Sequence, residues 1–192
     1  MKDLFLVEIS KIKNEKLKSV ALKMVDDIPE YFWHEPASSS GKYHPTCDLG
    51  DGGLVRHSIM VSRVADDLVT SEMFCRDNQA NRDIVRIATL FHDVIKQGPV
   101  NDDGTYSGHT VFEHPLYAAD FVRTHLQEAN INDLTISLIC DGIRTHMGKW
   151  CTSKYSDVAL SKPRTDFEKL IHIADYIASR KYIGGLEEWR LS

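Results

Sequence analysis

The sequence has no long apolar run, no excess of basic residues and no paired arrangement of its cysteines. A membrane-spanning helix needs about 20 mostly apolar residues, and a secretory leader needs an apolar stretch near the N-terminus. We therefore expect a cytoplasmic protein that does not cross a membrane. The net charge of −5 disfavours an extended nucleic-acid surface, which would be basic. The four cysteines form no CxxC pair, which indicates reduced thiols.

Alternating apolar and polar residues, the pattern of a half-buried strand, are also missing. Apolar residues recur instead at helical spacing, and the balance of 42% hydrophobic and 27% charged residues is typical of a globular protein. We therefore predict an all-α, single-domain helical bundle. Pro115 fits the first position of one helix, with His114 as its cap. The predicted helices span residues 2–27, 54–74, 81–95, 115–127, 132–146 and 165–178.

Three loops separate the predicted helices, at residues 34–53, 97–113 and 147–163, and the first two are polar and contain several glycine or proline residues. Loops of this length inside a compact domain are often functional. The segment 38–44 combines hydroxyls, backbone amides and a cation, so it is either an anion-binding loop or a flexible turn. Ser40, Lys42 and His44 are its candidate substrate contacts. Ser40-Gly41-Lys42 is not a Walker-type phosphate loop, because the spaced upstream glycine and the strand-to-helix context are missing.

The pair His92-Asp93 follows an apolar helical run. Neutral imidazole and carboxylate together suit a divalent metal such as Mn²⁺, Fe²⁺, Ni²⁺ or Zn²⁺. Each histidine alone could be a core residue bonded to a backbone carbonyl, whereas Asp175 needs a partner because an unpaired buried charge is costly. Together the set indicates one metal centre in the middle of the bundle, as in carboxylate-bridged metal proteins. Its six members lie on five predicted helices: His57, His92, Asp93, His114, His146 and Asp175.

The order H…HD…H…H…D, after a glycine pair, resembles the HD-domain metal-dependent phosphohydrolases. The strings GGLVRHS, LFHDVIK, EHPLYAADF, RTHMGKW and LIHIADYIASR are similar to HD domains of 3′-to-5′ exoribonucleases and cyclic-dinucleotide phosphodiesterases. PASSSGKYHP resembles a segment of small stand-alone HD proteins of bacteria and phages. The resemblance divides the single structural domain into an N-terminal packing helix (1–30), the HD domain (31–182) and a C-terminal tail (183–192).

The resemblance implies a divalent metal cofactor (Mn, Fe, Ni, Zn or Mg) and one or two metal positions. The first would be held by His57, His92, Asp93 and Asp175, and the second by His114 and His146, with Asp93 bridging. Two residues depart from the family pattern. Ile95 stands where glycine is common, and Met147 stands where many two-metal members have a second successive histidine. A thioether is a poor ligand for hard metals, so we expect the second position to bind more weakly.

The expected activity is hydrolysis of a phosphate ester of a nucleotide or short oligonucleotide. A metal-bound water with a pKa near about 7 would supply hydroxide to attack phosphorus. Asp93 and Lys96 are the predicted catalytic residues, with Lys96 stabilising charge on the phosphoryl oxygens. Lys42 and Arg144 are further cations that could contact the substrate.

Two other interpretations stay open. An HD module could bind or sense a nucleotide without turning it over, and the departure at Met147 motivates this alternative. A single metal could also act only as a clamp between helices. Among the remaining histidines, we interpret His125 and His172 as structural.

Overall fold

The computed structural model describes residues 1–38 and 41–184, and helices dominate this part of the chain. Within the described residues there are seven α-helices and no β-sheet, which confirms the all-α prediction. None of the helices described there is both long and apolar enough to span a bilayer. The α-helices are α1 (Lys2–Ser10), α2 (Glu15–Asp27), α3 (Gly53–Thr70), α4 (Gln79–Phe91), α5 (His114–Glu128), α6 (Asp133–Thr145) and α7 (Asp166–Ala178). Short 3₁₀ helices cover Glu30–Trp33, Thr46–Asp48 and Lys181–Gly184.

The N-terminal segment forms two helices where one continuous helix was predicted over residues 2–27. The chain breaks between α1 and α2, and the side chain of Asn14 caps α2 by accepting two backbone N–H groups. The carboxylate of Asp83 on α4 accepts the N–H groups of Lys13 and Asn14. The prediction was wrong because a contact distant in sequence satisfies the backbone at the break, while both helices still bury apolar faces in one core.

Aromatic side chains anchor the N-terminal segment beside the His-Asp pair. The ring of Phe5 on α1 meets Phe32, Trp33 and Phe91 edge to face, with centroids 5.6 to 5.7 Å apart. Such pairs contribute about 0.5–1.5 kcal/mol each beyond burial of their area. Phe91 is the last residue of α4, so these contacts fix the point at which His92 and Asp93 leave the helix. They also anchor the segment of residues 31 to 33, and with it the following loop, to the core.

The starts of α5, α6 and α7 lie within one residue of the predicted ones, whereas α3 ends at Thr70 rather than at residue 74 and α4 ends at Phe91 rather than at residue 95. The side chain of Asn132 caps α6 and that of Thr165 caps α7, each by accepting a backbone N–H three residues later. One detail differs at α5, where Glu113 occupies the cap position. His114, the predicted cap, is instead the first helical residue, and Pro115 follows it.

Gly53 permits the closest approach between α3 and the loop before it. A Cβ atom at this position would lie 1.9 Å from the carbonyl oxygen of Asp48. The same carbonyl accepts the N–H of Ala37 at 3.0 Å, so the loop crosses itself here. Because the obstructing atoms belong to the backbone, rotation of a side chain could not relieve the clash. Glycine at position 53 therefore sets the position of α3, and of His57 on it, relative to the loop.

We expect Gly53→Ala to reduce the free energy of unfolding by more than Gly104→Ala does. Gly104 has a φ of +83°, and a Cβ atom added there would have no other atom within 4 Å, so its substitution adds only backbone strain, about 1–2 kcal/mol. Gly53→Ala also forces a backbone displacement. Urea unfolding of both variants measures the difference. Equal losses would show that the close approach at Gly53 contributes nothing to stability.

Candidate metal centre

The ends of four helices and the first half of a fifth bring the six predicted ligands into one cluster. His92 and Asp93 follow α4, His146 follows α6, and His114 opens α5. The remaining two come from within α3 and α7: His57 and Asp175. The four histidines and Asp93 are buried, whereas Asp175 is partly exposed. The structure thus gathers residues that are up to 118 positions apart in the sequence.

Backbone carbonyls fix the protonation of three imidazoles. Nδ1 of His92, His114 and His146 each lies 2.7 Å from the carbonyl oxygen three residues earlier in the chain. A carbonyl oxygen only accepts, so Nδ1 donates and carries the proton. Nε2 of each neutral ring therefore has a free lone pair. All three Nε2 atoms lie in the cluster.

These lone pairs face other acceptors at short range. His114 Nε2 lies 3.3 Å from His146 Nε2 and 3.1 Å from Asp93 Oδ1. His92 Nε2 lies 3.5 Å from Asp93 Oδ2 and 3.8 Å from Asp175 Oδ1, and it has no hydrogen-bond partner in the described part of the chain. Acceptors held this close repel one another unless a cation lies between them. The imidazole and carboxylate donors fit a divalent transition metal.

The ligand atoms form two overlapping groups, within each of which they lie no more than 4.8 Å apart. One group consists of His57, His92 and Asp175, and the other of His92, Asp93 and His146. His57 Nε2 is 3.0 Å from Asp175 Oδ1 in the first group. His92 is common to both, and His114 adjoins the second through Asp93. The cluster thus has room for one or two ions.

The electrostatics of the cluster favour the ligand forms of these groups. Burial alone would raise the pKa of Asp93, but the Lys96 ammonium, 2.5 Å from Asp93 Oδ2, and the neighbouring imidazoles hold it well below its usual range. Burial lowers the pKa of His146 to about 3 and also lowers that of His92. Burial would also raise the pKa of Asp175, but its hydrogen bond to His57 and the neighbouring imidazoles together lower it. Neutral imidazoles and ionised carboxylates are the species that bind metal.

The cluster forms the floor of an open cavity of about 580 Å³. His44 and Lys96 line this cavity together with Met147. Lys42 lies beside it, with its ammonium 5.1 Å from the ring centroid of Tyr43 on the cavity wall. Ser40, the other predicted contact from this loop, lies outside the described residues.

Arg144 is not brought to the cavity. Its guanidinium extends to α5, where Nη2 donates to Asp120 Oδ1 at 2.6 Å. Arg144 precedes His146 by two residues on α6, and positions two apart on a helix do not share a face. The structure therefore gives no support to Arg144 as a substrate contact.

Two residues outside the predicted ligand set support the ligands. Asp48 is buried with Oδ2 3.8 Å from Nδ1 of His57, but it ends a short 3₁₀ helix inside a predicted loop, where periodicity gives no signal. His172 Nδ1 donates to the carbonyl oxygen of His146 at 2.7 Å. Gly148, at a φ of +59°, makes room for this contact, since a Cβ there would lie 2.1 Å from the His172 ring. His172 precedes Asp175 by three residues on α7, a spacing that indicates a shared face.

A family model described as the HD domain matches residues 54–180, which is well over half of the chain. The match begins just after the start of α3 and ends just after α7, so all six clustered residues fall inside it. No curated protein and no solved structure matches the chain.

We expect Asp93→Ala to abolish tight binding of divalent metal while the helices remain. Asp93 supplies the carboxylate nearest to three imidazoles, and its loss leaves the second ligand group without an anionic donor. Metal content after loading with Mn²⁺ and gel filtration, measured by mass spectrometry, tests the first point, and circular dichroism tests the second. Asp120→Ala, which removes an exposed carboxylate on α5, is the matched control. Retention of a full equivalent of metal by Asp93→Ala would contradict this assignment.

Proposed function

The chain belongs to the HD-domain family, and from that premise we propose that it hydrolyses a phosphate ester of a nucleotide or short oligonucleotide in a metal-dependent reaction. The observation that carries this proposal is the set of inward-facing Nε2 lone pairs around Asp93, at the floor of a cavity open to solvent. A purely structural metal would be enclosed by its ligands, whereas a catalytic site keeps access for substrate.

The proposed metal ligands are the six clustered residues. When bound, a divalent metal acidifies a coordinated water and stabilises negative charge on phosphoryl oxygens. The carboxylate of Asp93 belongs to the second group of proposed ligands and also pairs with the ammonium of Lys96. The ammonium of Lys96 lines the cavity next to Asp93, so it can pair with a phosphoryl oxygen as charge develops there.

We assign His44 to the substrate. Its ring lines the cavity 5.0 Å from the ring of His57. Burial, the neighbouring His57 and Lys96 lower its pKa to about 3, so the ring is neutral at physiological pH. A neutral imidazole can accept a hydrogen bond from a sugar hydroxyl or donate one to an ester oxygen. Because His44 and the anchor at residues 31 to 33 precede the matched segment, we place the start of the functional domain at residue 31 and its end at 182.

A second candidate function is nucleotide sensing without turnover. The observation that favours it is Met147, which lines the cavity directly after His146, where a thioether offers little to a hard metal. A sensor would use the same cavity and bind the same class of ligand. The two functions differ in whether phosphate or a nucleotide product is released.

We expect the Mn²⁺-loaded protein to hydrolyse at least one member of a panel of nucleoside phosphates, cyclic dinucleotides and short oligonucleotides. Mass spectrometry of the products identifies the bond cleaved. Asp93→Ala should be inactive, and Lys96→Gln should lose about 10²-fold in kcat while retaining its metal, because one stabilising charge is removed. Ligand-induced stabilisation against heat without any product would favour the sensor instead.

We expect Mn²⁺ titration of metal-stripped protein to show two unequal binding steps, with hydrolysis rising on the second. Two metals, held by the six clustered residues, would stabilise negative charge on both the attacking and the leaving oxygens. Met147→His, which adds a second imidazole after His146, should tighten the weaker step and leave the stronger one unchanged. Calorimetry measures both affinities. Full activity at one equivalent would rule out a dinuclear mechanism and reassign His114 and His146 to substrate contact or proton transfer.

A further inference from the structure

One wall of the cavity is aromatic, although the metal chemistry does not require aromatic residues. Tyr43, Trp150 and Tyr176 line this wall, and we call these three residues, with Arg180, the aromatic wall. The rings are 52%, 44% and 37% exposed, respectively, so each presents a large apolar surface to the cavity. Exposed aromatic groups beside a concave polar site indicate a surface that a ligand covers.

The members of the aromatic wall hold one another in place. The rings of Trp150 and Tyr176 are nearly parallel, with an interplanar angle of 18° and centroids 5.8 Å apart. The Arg180 guanidinium carbon lies 4.3 Å from the Tyr176 centroid and 5.4 Å from that of Tyr43. Arg180 Nε also donates to the carbonyl oxygen of Tyr176. These contacts fix the orientation of the rings before a ligand arrives, which reduces the entropic cost of binding.

The aromatic wall adjoins the metal cluster through the backbone of α7. Tyr176 directly follows Asp175, and Arg180 lies about one helical turn further on. Asp175 and Tyr176 line the same cavity, so a phosphate at the cluster and a base on the aromatic wall would occupy one open volume. The cations Lys149 and Arg180 flank this surface, with the Lys149 ammonium 4.8 Å from the Trp150 ring centroid.

We propose that the aromatic wall is a nucleobase subsite, on which the base of a single nucleotide unit stacks while its phosphate lies at the metal cluster. This proposal rests on the proposed phosphohydrolase function and assigns the residues that bind the base of its substrate. Aromatic stacking accepts any base, because every base has a π-face. The described residues that line the cavity include no Asn, Gln or Glu side chain to read a base edge. Stacking on the aromatic wall thus requires a base without itself selecting which one.

Binding without turnover is the first test. The methylene phosphonate analogues of AMP, CMP and ribose 5-phosphate cannot be hydrolysed at the ester position, and calorimetry gives their Kd values with Mn²⁺-loaded protein. We expect the two nucleotide analogues to bind with similar affinity and the base-free analogue to bind about 5- to 150-fold more weakly, the range that loss of one base–aromatic stack implies. Equal affinity for all three, or no binding of any, would overturn the proposal.

Substitutions in the aromatic wall test whether these residues cause the preference for nucleotide analogues. Trp150→Ala and Tyr176→Ala should weaken binding of both nucleotide analogues without changing that of the base-free analogue, and Trp150→Phe should restore most of the affinity. Tyr155→Ala is the matched control, because Tyr155 is 84% exposed, has the Lys154 ammonium 4.7 Å from its ring centroid and does not line the cavity. An aromatic wall that only braces the fold would lower the melting temperature of the variants and leave the ratio of Kd values unchanged.

Measurements of turnover distinguish failure of the nucleobase subsite from failure of the proposed phosphohydrolase function. If the protein hydrolyses AMP or a dinucleotide, Trp150→Ala should raise KM far more than it lowers kcat. Base-dependent binding with no hydrolysis of any phosphate ester would refute the phosphohydrolase function and keep the subsite. Hydrolysis of ribose 5-phosphate or p-nitrophenyl phosphate with KM values equal to or below those of nucleotides would keep the function and refute the subsite.

Discussion

The interior of the structure is organised around hydrogen-bond acceptors that face one another, namely imidazole Nε2 atoms and carboxylate oxygens. His92 and His146 each follow the end of a helix, and the last-turn carbonyls of a helix lack intrahelical partners. Those carbonyls accept hydrogen bonds from Nδ1 of both rings. The Nε2 lone pairs are therefore oriented toward each other and toward Asp93. The helix ends thus determine that Nδ1 carries the proton of each ring. Because the unprotonated Nε2 atoms face one another and a carboxylate, the interior needs a cation.

This arrangement couples metal binding to stability. Without a metal, Lys96 is the nearest compensating charge for Asp93, and it contacts only one of the two carboxylate oxygens. The other oxygen and the Nε2 atoms around it remain desolvated acceptors, which is costly in a buried position. The aromatic packing around Phe5 and Phe91 stabilises the fold next to this cluster. A metal bound by these groups would remove the repulsion between them.

Much of the fold and of the ligand set could be predicted because helical periodicity and residue type are local signals. The helix caps at Asn132 and Thr165 belong to this class. The break after α1 could not be predicted from local signals. The carboxylate that accepts the backbone N–H groups at the break belongs to Asp83, about 70 residues away. Asp48 ends a short 3₁₀ helix inside a predicted loop, and the fold alone brings it next to His57. Arg144 differs from both, because its helical position relative to His146 already indicated another face.

The metal cluster and the aromatic wall draw on different parts of the chain. Ligands come from helices and helix ends, whose positions the core fixes, whereas Tyr43 and Trp150 come from loops. Loops can change without disturbing a packed core, so substrate preference can vary while the metal chemistry is kept. Tyr176 is the exception, since it shares α7 with Asp175. That single helix therefore sets the distance between Asp175, a proposed metal ligand, and Tyr176 on the aromatic wall, whereas the loops set only the positions of Tyr43 and Trp150.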